Sequence, residues 1–168
     1  QIDDAGSDQA NILYRAITGD TTSAMVVGSK NVEAQGRVSP DGKWITYVTD
    51  ASGTPQVVVQ PFPGGGGVTQ ISVSGGSEPV WAPDGKRLYY RDGRRFMAAR
   101  FTTSPTFAVT GRDDLFADDY AFASAPHANY DVSRDGSRFL MIKNVQAPEL
   151  FVVYGWLSEL RARVATRR

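Results

Sequence analysis

One histidine and a scatter of carboxylates and amides are the side chains here whose types could do metal-assisted or acid–base chemistry. Their spacing becomes informative when the chain is set in register on three Asp-Gly pairs, Asp41-Gly42, Asp84-Gly85 and Asp135-Gly136. Six residues before the Asp of each pair stand Gln35, Glu78 and Asn129; eight before stand Glu33, Gly76 and His127. Gathered round a common axis, Glu33, Gln35, Glu78, His127 and Asn129 carry the donors that a divalent cation needs. Glu33, Glu78 and His127 suit zinc, whereas the carboxylates and amides alone suit calcium. An ion held there would acidify a bound water and hydrolyse an ester or phosphoester. The competing reading is that these side chains only hydrogen-bond backbone ends or water, and that His127 is a solvated loop residue.

Composition narrows the alternatives. Eighteen basic and eighteen acidic residues leave the 168-residue chain without net charge, which argues against wholesale binding to nucleic acid. No apolar run approaches the roughly 18 residues of a membrane span. The absence of cysteine excludes disulfides, thiolate metal sites and a cysteine nucleophile. A single His leaves a Ser-His-Asp or three-His zinc site within one chain almost nothing to draw on. The chain begins at Gln1 without a charged-then-apolar leader, and reads as a processed product or a piece of something longer. Extracytoplasmic and cytoplasmic locations both stay open.

The elements that would position the candidates come from an internal repeat. Arg37–Trp44, Val80–Arg87 and Asp131–Arg138 align, with 43 residues from Asp41 to Asp84 and 51 from Asp84 to Asp135. That period is one of four short strands rather than of a helical repeat. Asp caps a tight reversal and Gly supplies its positive φ, so each copy is a hairpin. Aromatic and β-branched runs follow at Trp44–Thr49, Leu88–Arg91 and Phe139–Lys143. Further strands are expected over Gln56–Pro61, Val68–Ser72, Arg95–Thr102 and Phe107–Thr110. Gly111–Ala128 is expected to be an inserted loop, its Asp113, Asp114, Asp118 and Asp119 an acidic stretch more suited to water than to calcium. Gly64–Gly67 lacks the Lys-Ser/Thr of a phosphate cradle and reads as a turn. Trp44, Tyr47, Trp81, Tyr89 and Tyr90 sit at strand positions and are expected to pack between units.

The run Ser39-Pro40-Asp41-Gly42-Lys43-Trp44-Ile45-Thr46-Tyr47 and the later Glu78-Pro79-Val80-Trp81-Ala82-Pro83-Asp84-Gly85 resemble the WD-like repeat of TolB-type β-propellers. The C-terminal stretch Phe139–Lys143 with Val152–Leu160 resembles the end of propellers fused to bacterial serine/threonine kinases, although no kinase motif is present. The resemblance covers residues 11–160. It implies an all-β partial propeller of about three four-stranded antiparallel blades, with channel-mouth ligands near the start of each innermost strand. The blades are read as residues 35–73 and 78–110, flanked by outer strands over 11–30 and an incomplete last blade over 128–156 that includes Leu150–Trp156. A short basic helix over 157–168, bearing Arg161, Arg163, Arg167 and Arg168, closes the chain. Because the two ends are incomplete in a complementary way, a homodimer is expected to complete a six-bladed ring. The function that this implies is a non-catalytic module binding a protein or small molecule, the alternative being the metal-dependent hydrolase.

Overall fold

The computed structural model describes residues 10–122 and 127–143, over which the chain is all β. Two four-stranded antiparallel sheets lie between two two-stranded ones. The first pair is β1 (Ile12–Arg15) and β2 (Ser23–Val27). The next sheet runs in the order β3 (Glu33–Val38), β4 (Trp44–Thr49), β5 (Gln56–Pro61) and β6 (Thr69–Gln70). The following one runs β7 (Ser77–Trp81), β8 (Arg87–Asp92), β9 (Arg95–Thr102) and β10 (Ala108–Ala117). The last pair is β11 (Tyr130–Val132) and β12 (Phe139–Met141). Within each sheet consecutive strands pair, as expected of meandering blades of a partial propeller. The strand read over Leu150–Trp156 and the helix over 157–168 lie outside the described residues.

Three turns close in the same way because the same chemistry recurs. Ser39, Ala82 and Ser133 each donate their N–H to the carbonyl of the residue five positions on (Trp44, Arg87, Arg138) at 2.8–2.9 Å. The Asp in each turn accepts the backbone N–H two residues on, from Lys43, Lys86 and Ser137, at 3.0–3.1 Å. Gly42, Gly85 and Gly136 take φ of 71°, 69° and 69°, the left-handed conformation that glycine adopts without a Cβ penalty.

Alternation along the strands puts two separate cores on the two faces of the β7–β10 sheet. Trp81, Leu88, Tyr90 and Ala99 face the β3–β6 sheet and join Val57, Val59, Ile71 and Phe107. Their neighbours Val80, Tyr89, Phe96 and Ala98 face the other way and meet Tyr130 of β11. A sheet covered on both faces reads as a continuous apolar run, and Leu88-Tyr89-Tyr90 is one. Each fully buried large side chain contributes about 1.5–3 kcal/mol. Trp81, Tyr89 and Tyr90 therefore pack between units, with Trp81 also donating Nε1–H to the Arg37 carbonyl at 2.9 Å.

Gly111–Ala128 is not a loop throughout: its first seven residues continue β10 to Ala117. The reason is cross-strand pairing with β9. Arg100 grips Asp113 and Arg95 meets Asp114, while Phe116 stacks on Phe96 with centroids 4.8 Å apart. Two bulges, at Val109/Gly111 and Asp114/Phe116, let the strand follow the twist. β6 is shorter than expected, keeping only Thr69 and Gln70 in the ladder.

Candidate functional site

The innermost strands β3 and β7 each begin with a bulge, and the bulge explains where two of the candidate residues go. Register shifts between Ala34 and Arg37 in β3, and between Ser77 and Val80 in β7. Inside these irregularities Gln35 and Glu78 adopt φ of 57° and 52°, a left-handed backbone that few residues other than glycine tolerate cheaply. The conformation is held by what the side chains do. Gln35 Oε1 accepts the Glu78 backbone N–H at 2.6 Å, and Glu78 Oε2 accepts the Asn129 N–H at 2.8 Å. The same repeat position thus ties each blade to the backbone of the next, across the 43- and 51-residue intervals that separate the turns. Tyr130 adds a second tie, its hydroxyl donating to the Glu78 carbonyl at 2.7 Å.

The remaining candidates lie around this chain of bonds. Glu33 is buried and accepts the Ser29 hydroxyl through Oε1 at 2.6 Å, leaving Oε2 buried without a hydrogen bond. Burial, reinforced by the charge of Glu33, pushes the Tyr47 phenol up. His127 is exposed, with Nδ1 3.4 Å from the Ala128 carbonyl. Asn129 enters through its backbone N–H. Among the described residues no group of three or more His, Asp or Glu side chains is gathered as a metal would require.

Arg91, which sequence reasoning did not single out, and Asp118, which was expected to be solvated but is buried against it, complete the electrostatics. Arg91 of β8 is 2% exposed and lies between two carboxylates, with Nε 3.1 Å from Glu78 Oε2 and Nη1 3.1 Å from Asp118 Oδ2. The Nε contact is an ion pair out of line for a hydrogen bond, and Arg91 Nη2 and Glu78 Oε1 have no hydrogen-bonding partner. Burial pushes the Glu78 carboxyl up, opposed by the Asn129 N–H and then by the Arg91 guanidinium. Burial also holds the Tyr130 phenol well above its ordinary range, with Glu78 adding to it. A signal for Arg91 was present: seven residues after the turn Asp, the three copies read Val48, Arg91 and Ile142. At the position six before the turn Asp, where the copies read Gln35, Glu78 and Asn129, the copy with the carboxylate is the one with a guanidinium after its turn.

At the opposite end of the innermost strands is a cleft of about 480 Å³ lined by residues of β3, β7 and β11. Arg37, Val80 and Asp131, each four residues before its turn Asp, share its wall with Trp81. The wall therefore runs from a cation through an apolar centre to an anion.

With this geometry in place, comparison with solved structures supports the fold. TolB from Acinetobacter baumannii superposes with a TM-score of 0.51 at 17% identity, over 76% of this chain and 30% of that one. A candidate 6-phosphogluconolactonase from Bacteroides uniformis aligns over 77% of this chain and 39% of its own, with 20% identity and a TM-score of 0.43. The chain thus spans less than half the length of either. No protein-family model and no curated protein sequence matches it.

Proposed function

We propose that the chain is a non-catalytic propeller module that binds a protein or small-molecule ligand on the wall formed by its innermost strands. The observation that carries this reading is the commitment of the channel-mouth acceptors. Gln35 and Glu78 spend their side chains on the backbone of the next blade, and Glu78 already faces the Arg91 guanidinium. A divalent cation on Glu78 would stand against that positive charge, which weighs against the zinc-dependent hydrolase. The recognition surface is instead placed at the wall of the other end, where Arg37 and Asp131 flank the largely buried Val80 and Trp81.

The proposed assembly is a ring of six blades closed by two copies of the chain. What supports it is strand identity. β1 begins 21 residues before β3, as β5 begins 21 before β7, so β1–β2 correspond to the outer half of a blade. β11–β12 correspond to the inner half. Inner pair of one copy and outer pair of the other make a whole blade, and the ligand wall is then built from both copies.

The test is metal analysis and turnover on the purified chain. Expected are no stoichiometric zinc or calcium and no hydrolysis of chromogenic esters or phosphoesters above buffer. Stoichiometric zinc, lost together with an esterase activity in His127→Ala, would overturn the reading.

A further inference from the structure

On the rim formed by the Asp-Gly turns, a second cleft of about 450 Å³ separates the turn of the β7–β10 blade from the turn between β11 and β12. Lys86, Arg87, Arg100 and Arg134 line it together with Asp84 and Asp135. Each carboxylate is bonded into its own turn through Oδ1 and keeps its charge, so the cations lining the cleft outnumber the anions four to two. Asp84 accepts the Lys86 N–H at 3.0 Å. Asp135 accepts the Ser133 hydroxyl and both the N–H and hydroxyl of Ser137, at 2.6–3.0 Å. Arg100 is braced from outside the cleft by a forked contact with Asp113, Nε to Oδ2 at 2.9 Å and Nη2 to Oδ1 at 3.0 Å.

The repeat supplies the control, because the same cleft position exists one blade earlier. There Trp44 stands where Arg87 does, and Pro83 stands where Arg134 does. Arg100 pairs across the ladder with Arg87 as Pro61 pairs with Trp44, so Pro61 takes the place of Arg100. The lysine is common to both, as Lys43 and Lys86. Turn closure is the same in the two blades, within 0.1 Å in each backbone bond, so the fold does not require guanidinium groups there. Three arginines at positions that carry Trp, Pro and Pro in the neighbouring copy concentrate positive charge in a chain with none overall. Asp84, Asp135 and the Asp113 partner of Arg100 offset part of this charge, and the cationic excess that is left favours a further anion. The planar fork of arginine matches the oxygens of a tetrahedral oxyanion.

We propose that this cleft binds the phosphate group of a small ligand through Arg87, Arg100 and Arg134. It is distinct from the wall formed by the innermost strands, so it stands or falls separately from the binding surface placed there. The test is an amide NMR titration of the whole chain with inorganic phosphate at low ionic strength, with chloride at matched ionic strength as the blank. Saturable shifts are expected at Gly85, Lys86 and Gly136, with none at Gly42 and Lys43 of the other turn. Arg87→Trp and Arg134→Pro, which install the residues of the earlier blade, are each expected to weaken binding about tenfold. Shifts of equal size at Gly42, no saturable shift at all, or undiminished affinity in variants that retain the folded spectrum would overturn the proposal. The wild-type titration decides the matter by itself if a variant does not fold.

Discussion

At the scale of single residues, the buried Glu78–Arg91–Asp118 group is where the molecule is most vulnerable. Removing one partner leaves an uncompensated buried charge, and Arg91→Val is expected to cost about 3–5 kcal/mol. The repeat indicates the rescue. Gln35 and Val48 occupy the corresponding places one blade earlier, so adding Glu78→Gln to Arg91→Val should recover part of the loss. Urea unfolding of the two single variants and the double variant checks this, and strict additivity would contradict the coupling. The pH dependence follows from the direction of the Glu78 shift. Its folded pKa is raised, so the folded state holds this proton more tightly than the unfolded chain does. Its contribution is fully present below the unfolded value and is lost as pH rises through the folded one. A carbon-detected titration of Glu78 should therefore show its midpoint above that of an exposed glutamate. Asp135 behaves in the opposite sense, held at about 2 first by the Ser133 hydroxyl and then by Ser137. Ser133→Ala should move its midpoint upward toward the ordinary carboxylate value; an unmoved midpoint would deny the hydroxyl that role.

At the scale of elements, the blade-to-blade bond at the start of each innermost strand is the recurrent device. Gln35→Ala leaves the Glu78 N–H without its acceptor and is expected to destabilise the chain by about 1–3 kcal/mol. Denaturant midpoints check this, and a variant as stable as the parent would remove the bond from the account. How much of this was legible beforehand differs from element to element. The turns and the paired strands were readable because Pro, Asp and Gly recur at a fixed distance before aromatic and β-branched runs. β10 was not, because Asp113 and Asp114 look like loop residues until β9 is in register and presents Arg100 and Arg95 to them. The repeat set Gln35 and Glu78 in register, yet alignment does not tell whether a side chain points to an axis or to the neighbouring backbone. The positive φ at Gln35 and Glu78 decides that, and neither residue type announces it. Arg91 was readable in principle, as the charged residue at a repeat position held by Val48 and Ile142 in the other copies.

At the scale of the whole molecule, the wedge of two complete sheets and two half-sheets is the feature on which the rest depends. Among the described residues β12 pairs only with β11, and β1 only with β2. Apolar side chains stand exposed on these outer pairs: Leu13 and Met25 on one, Leu140 on the other. Exposed strands with apolar surface are templates for further pairing, and the proposed two-copy ring would pair the two complementary halves with each other. In the proposed ring, the wall bearing Arg37, Val80 and Asp131 would become a channel to which both copies contribute. Static light scattering of the purified chain at micromolar concentration tests this most directly. The account predicts a single species of twice the 18.2 kDa chain mass, and a clean monomer of 18.2 kDa would contradict it.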